Sequence, residues 1–251
     1  MEALAQWRDP KWPAPEPGAM QVGVVSDVHG NLVALEAVLA DMPAVDALVN
    51  AGDVVGYNPW PAACVEAMWD PTALDVEASV PGEPVPTVLG NHDRAVAEGS
   101  GFRFNAMASA GVDYAREALD AAHLDWLAEL PAERRRFDDR VHVVHGHPDD
   151  PDRYTRPHEF DPDLLRDGAD VLVMGHTHVQ HHEVYDEGVV LNPGSVGQPR
   201  DGDPRAAYAV LDLDALAVEE HRVAYDVDRV REAVEAADLP ARIGTRLAEG
   251  R

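Results

Sequence analysis

Short apolar runs alternate with amphipathic stretches along the chain, and their periods separate strands from helices. Met20 to Ser26 is a near-continuous apolar run and reads as a buried strand. Asn31 can cap a helix over Leu32 to Met42, which puts Leu32, Leu35, Val38 and Leu39 on one face. Ala47 to Ala51 reads as the next strand, and Pro61 opens a short helix through Met68. Asp70 to Pro86 is acidic and Pro-rich, hence loop, and Thr87 to Leu89 is a third short strand. Ala106 to Leu119 and His123 to Leu130 carry helical spacing, broken near Ala121. Val141 to His145 and Val171 to Met174 are strands, with a short helix expected between them over Asp161 to Asp167. Glu183 to Val190 reads as a hairpin turning at Asp186, Glu187 and Gly188. Ala206 to Leu213 and Ala217 to Ala224 form a second hairpin, and Asp226 to Ala237 is a closing helix.

The first part is thus β-α-β-α and the last part rich in β, which predicts α/β layers with a mixed sheet system. At 251 residues the chain is long enough for one large domain. Residues 1–18 are polar and Pro-rich with no apolar core, so they read as a surface extension, and residues 19–251 as the domain. Hydrophobic residues make up 45% of the chain and aromatics only 6%, so the core must be built from Val, Leu and Ala.

Charge changes the picture most. Asp and Glu total 46 against 20 Lys and Arg, a formal net charge of -26, and Lys11 is the only lysine. Molar salt would screen that self-repulsion to a Debye length of roughly 3 Å. A cytoplasmic protein of a salt-loving cell is therefore expected. The same acidity speaks against a DNA-backbone partner, although high salt weakens that objection. Cys64 stands alone, which excludes an intramolecular disulfide and a Cys-rich zinc site. No apolar run approaches the roughly 20 residues of a membrane span.

The chemistry lies where the apolar runs end. Ser26-Asp27-Val28-His29-Gly30-Asn31, Gly52-Asp53, Gly90-Asn91-His92-Asp93, His145-Gly146-His147 and Gly175-His176-Thr177-His178 each follow an expected strand. Ligands of open α/β sheets bind outside the carboxyl ends of strands, so these clusters should converge. Asp27, His29, Asp53, Asn91, His145, His176 and His178 exceed the needs of one tetrahedral ion. Two ions about 3.5–4 Å apart would use them all. The mixture of carboxylate and imidazole suits Mn, Fe, Zn or Co rather than a calcium cage, with Mn the expected occupant and Ni a further alternative.

The ordered motifs Asp-x-His, Gly-Asp, Gly-Asn-His-Asp, His-Gly and Gly-His-x-His resemble those of calcineurin-like metallophosphoesterases. The stretches Gly52 to Tyr57 and Asn192 to Arg200 look like the small archaeal and bacterial predicted phosphodiesterases of that superfamily. The resemblance implies a four-layer α/β/β/α sandwich in a single domain. It implies that Asp27, His29, Asp53 and His178 hold one metal and that Asp53, Asn91, His145 and His176 hold the other. It also implies a catalytic His92 facing the substrate, oriented by Asp93.

On that resemblance the expected activity is hydrolysis of a phosphodiester or phosphomonoester. Dinucleoside polyphosphate hydrolysis and phosphoprotein dephosphorylation are the alternatives within enzymes, and a non-catalytic scaffold is the alternative outside them. A small, nucleotide-like phosphorylated substrate is the expected partner, with Asn91, His92, His147 and Arg200 as candidate contacts. For Arg200 a salt bridge to one of the many carboxylates is the competing expectation. Arg134, Arg135 and Arg136 read as a solvated loop, His142 as a core residue, and His181 and His182 as surface. A homodimer is compatible with the chain, but no segment announces an interface.

Overall fold

A computed structural model describes residues 18–100 and 104–251, so the expected extension lies outside the described residues apart from Gly18. Strands β1 (Gln21–Val25), β2 (Ala47–Asn50), β8 (Ala206–Asp212) and β9 (Ala217–Val223) form one sheet in the order β2-β1-β8-β9. A second sheet has the order β3-β4-β5-β7-β6, from β3 (Glu133–Arg136), β4 (Val141–Val144), β5 (Val171–Val173), β6 (His181–Tyr185) and β7 (Gly188–Asn192). β1 and β2 run parallel, as do β4, β5 and β7. The remaining pairs are antiparallel.

Period-2 alternation explains how valine-rich strands build two interiors at once. Val22 and Val24 of β1 join Val141, Val143, Val171, Val173, Val189 and Leu191 in the cluster between the sheets. Val25 faces the other way, into a cluster with Leu35, Val38 and Leu39 of helix α1 (Leu32–Asp41). That cluster also takes Cys64, Val65 and Met68 from α2 (Pro61–Trp69), and Val112 and Leu127 from α4 (Ala106–Ala118) and α5 (Ala121–Glu129). On the far side Leu172, Met174 and Val190 pack under Leu164 of the single-turn helix Pro162–Leu164. Helical turns therefore cover both sheets, and burying one Val or Leu at such positions contributes roughly 1.5–3 kcal/mol.

Helix α3 (Asn91–Glu98), the arginine run and the terminal α7 (Arg242–Thr245) escape the sequence pattern. Helix α3 begins within the Gly-Asn-His-Asp cluster, and its apolar face is short. It is stabilised by docking against α4 and α5 rather than by its own periodicity. The arginine run is a second departure. Instead of a solvated loop, Glu133 to Arg136 is an antiparallel edge strand on β4. Charge along an edge strand discourages further pairing, which is why so polar a segment can sit there. Thr87 is reduced to a single bridge with Asn50, and α6 (Val227–Ala236) and α7 (Arg242–Thr245) close the chain.

Candidate metal centre

The expected ligands come together, each from the turn that ends a strand or opens a helix. Asp27 and His29 follow β1, Asp53 follows β2, His145 follows β4, and His176 and His178 follow β5. Asn91 is the first residue of α3. Asp27, His29, Asp53, His176 and His178 all have positive φ, between 51° and 65°. Left-handed backbone costs a non-glycine residue roughly 1–2 kcal/mol, so the packed turns must hold these conformations in place. Close approach at Gly175 and Gly90 is part of that packing. A Cβ on Gly175 would lie 2.0 Å from Ser26 Oγ, and one on Gly90 would lie 2.0 Å from Asp53 Oδ1.

The expected ligand atoms form two groups that meet at Asp53, and His92 lies within 4.8 Å of His29 and Asp53 in a third. In the first, His178 Nε2 is 3.1 Å from Asp27 Oδ1, and His29 Nε2 is 3.7 Å from both Asp27 Oδ1 and Asp53 Oδ2. In the second, His145 Nε2 is 3.4 Å from Asp53 Oδ2 and 3.1 Å from Asn91 Oδ1. His176 completes that group. Backbone carbonyls hold the outward ring nitrogens. Nδ1 of His29, His145 and His178 donates to Val55, Ala51 and Gln198, at 3.2, 2.8 and 2.5 Å. In the rings of His29 and His178, whose charge burial disfavours, Nε2 is thereby left as a lone pair facing inward. Asp27 Oδ2 accepts from Ser26 Oγ and His176 N, and Asp53 Oδ1 accepts from His92 N. Asp27 Oδ1 and Asp53 Oδ2 are buried with no hydrogen-bond partner among the described residues. Two orphaned carboxylate oxygens among inward imidazole nitrogens fit divalent cations.

The electrostatics agree with this fit. Burial alone would raise the Asp27 and Asp53 carboxyls, but neighbouring histidines, His178 for Asp27 and His145 for Asp53, hold both below the usual range. Burial lowers His29 and His178, and lowers His176 to about 4. His145 is the exception: burial opposes its charge, yet Asp53 and Asp27 raise it to about 10, so a cation at this position would have to displace a proton from its ring.

A cavity of about 130 Å³ reaches the centre, lined by Asp53, Asn91, His176 and His178 together with His92 and Arg200. The His92 ring stacks on Phe104 at 4.5 Å and lies 4.7 Å from Tyr57, and its Nδ1 has no hydrogen-bond partner among the described residues. Burial lowers its pKa to about 4.

Three expectations need correction. Asp93 does not orient His92: its carboxylate accepts from Val55 N and Gly90 N, at 3.1 and 3.2 Å, and so ties the Asp53 turn to the start of α3. His147 does not line the cavity, because its ring is engaged by Asp149 N and the Arg153 guanidinium of its own loop. Arg200 has no carboxylate partner among the described residues. It is held by Gln198 Oε1 at 2.7 and 3.2 Å and lies over the Tyr57 ring, so its charge faces the cavity. The walls Tyr57, Phe104 and Tyr154 add to the expected set. Tyr57 stands in the Gly52 to Tyr57 motif, and that motif is its signal in the sequence. Phe104 and Tyr154 lie in stretches whose spacing carries none.

A calcineurin-like phosphoesterase superfamily domain matches residues 20–216. The chain is 32% identical to an uncharacterised protein of Methanocaldococcus jannaschii, over 92% of this chain and 98% of the relative. It is 31% identical to the phosphodiesterase YfcE of Escherichia coli K12, over 79% of this chain and 91% of the relative. The crystal structure of a metallophosphoesterase from Sphaerobacter thermophilus superposes with a TM-score of 0.76 at 36% identity, covering 93% of this chain and 100% of that one.

Proposed function

The chain belongs to the calcineurin-like phosphoesterase superfamily, and from that premise we propose that this phosphoric ester hydrolase cleaves small, nucleotide-like phosphodiesters at a pair of divalent cations. The observation that carries the reading is the orphaned Asp53 Oδ2, set between His29 Nε2 and His145 Nε2. Asp27, His29, Asp53 and His178 would hold one ion, and Asp53, Asn91, His145 and His176 the other. Such a pair supplies Lewis-acid charge at the phosphoryl group and lowers the pKa of water toward neutrality. Mn is the proposed occupant, with Fe, Zn, Co and Ni as competitors for the same donors.

The chain's own residues do the rest. His92, steadied by Phe104 and Tyr57, donates a hydrogen bond to the reacting phosphate or its leaving oxygen. Arg200 presents a guanidinium to a phosphoryl oxygen, supported by its neutral partner Gln198. A cavity of about 130 Å³ admits little beyond the phosphoryl group, since sites for drug-sized ligands run to roughly 300–1,000 Å³. The rest of the substrate therefore lies at the mouth, beside Tyr154. The preference for diesters is supported by similarity to a phosphodiesterase. The net charge of -26 supports a high-salt cytoplasm as the working environment.

The test is an assay in molar KCl with added Mn, comparing bis(p-nitrophenyl) phosphate with p-nitrophenyl phosphate and measuring bound metal on the same sample. Two bound ions and faster diester cleavage are expected. Protein that takes up no transition metal and cleaves neither ester would overturn the proposal in favour of a binding scaffold.

A further inference from the structure

We propose that Arg94 and Asp152 are positioning residues for the second ion site, acting through the backbone carbonyl of Asp152 on His176. The inference rests on the dinuclear reading above. Each histidine in the ligand groups has one ring nitrogen on a backbone carbonyl. For His29, His145 and His178 these carbonyls belong to Val55, Ala51 and Gln198, all fully or almost fully buried. His176 differs. Its Nε2 donates to Asp152 O at 3.1 Å, and Asp152 belongs to an exposed loop between β4 and β5. With Nε2 committed to that carbonyl, Nδ1 is the nitrogen left for a cation.

The loop needs an external tie to keep the carbonyl in place. Within it, His147 and Asp150 exchange backbone hydrogen bonds, and Asp150 Oδ1 accepts from Asp152 N. Tyr154 stacks on the His176 ring at 4.0 Å. The ion pairs Arg166–Asp149 and Arg153–Glu159 stay inside the same excursion of chain. Arg94 holds the Asp152 end from outside: its Nη2 donates to both Asp152 carboxylate oxygens, at 2.5 and 2.7 Å, while Arg135 of β3 ties the far end of the same excursion at Asp167. Arg94 sits on α3, the helix that also supplies Asn91. One helix thus carries a ligand of the second site and ties down the carbonyl that fixes another. Among the described residues, none of Asp27, His29 and His178 bonds to this loop through its side chain.

The consequence is an asymmetry between the two sites. Losing a partner behind a metal ligand weakens metal binding by about 10–100-fold, and a tie acting at one remove should fall near the lower end. Mn or Co titration by calorimetry, in molar KCl, would test Arg94→Gln and Asp152→Asn beside the wild type. Wild-type protein should take up two equivalents. Each variant should bind one equivalent about tenfold more weakly and leave the other unchanged. The spin-coupled signal of paired Mn should give way to an isolated-ion spectrum at limiting metal. The exchanged pair, Arg94→Asp with Asp152→Arg, should restore the second equivalent. Unchanged binding in both single variants, or equal weakening of both equivalents, would overturn the positioning role while leaving the dinuclear reading intact. Fewer than two equivalents in the wild type would overturn that reading and this inference with it.

Discussion

The Nε2 atoms of His29 and His178 stand 3.1 Å apart, and the Nδ1 of each ring is already committed to a carbonyl. Two lone pairs therefore face one another beside the unpartnered Asp27 Oδ1, and only added positive charge relieves that contact. Metal should consequently stabilise the fold. At a free ion concentration 100 times Kd the gain is about 2.7 kcal/mol. For a chain of this size that is a rise in Tm of roughly 5–10 °C. Thermal unfolding with Mn and with a chelator measures it, and identical midpoints would contradict the assignment of these side chains as ligands.

Asp53 offers a cleaner substitution than either histidine. Its Oδ1 accepts from His92 N, and an amide oxygen can keep that bond. Asp53→Asn should therefore fold, yet lose the negative charge between the two groups. Metal analysis should find one ion or none in place of two, and turnover should fall with it. A variant that retains two ions and full activity would show that Asp53 does not bridge.

His92 lines the cavity and lies within 4.8 Å of His29 and Asp53, yet the resemblance places it on the substrate rather than on a metal. His92→Ala should keep both ions and lose turnover by at least the roughly 10²-fold expected of a lost proton or hydrogen-bond donor. Parallel metal analysis and kinetics on a diester with a poor leaving group separate the two effects. Full activity there would remove His92 from the reaction.

The candidate ligand cluster is legible in the sequence because every motif follows an apolar run, which by itself puts Asp27, Asp53, His145 and His176 at strand ends. What is not legible depends on tertiary contact. Helix α3 has too short an apolar face to declare itself and is held by α4 and α5. The Arg134 to Arg136 strand exists because β4 pairs with it. Adjacency of Asp93 to His92 suggests a partnership, but successive residues on a helix point different ways, and the carboxylate turns to Val55 N and Gly90 N. Arg200 finds a neutral partner on its own loop despite the surplus of carboxylates, a choice that composition cannot reveal.

Gly175 tests the packing behind the ligands. A methyl group there would lie 2.0 Å from Ser26 Oγ and 2.7 Å from Asp27 Oδ2, so Ser26 and Asp27 must move. Gly175→Ala should destabilise the protein by about 1–3 kcal/mol, as overpacking does. It should also weaken metal binding, since Asp27 is displaced. Unfolding and metal titration on the same variant check both, and wild-type values in both would mean that the turn yields freely.

Cys64 reports on the role of salt. The thiol is fully buried on α2, and burial, aided by Glu36, raises its pKa. A thiol reagent can reach it only through unfolding, so the labelling rate follows the population of open molecules when reclosing is fast. With 46 Asp and Glu against 20 Lys and Arg, a net charge of -26 leaves self-repulsion in dilute buffer only partly offset by counter-charge on the chain. Raising KCl into the molar range shrinks the Debye length from about 10 Å at 0.1 M to about 3 Å, which removes repulsion between neighbouring carboxylates. Labelling should therefore slow steeply with KCl, by about tenfold for each 1.4 kcal/mol gained. Slow labelling that does not change between dilute and molar KCl would mean that the core alone carries the fold, and that the acidic surface serves solubility rather than stability.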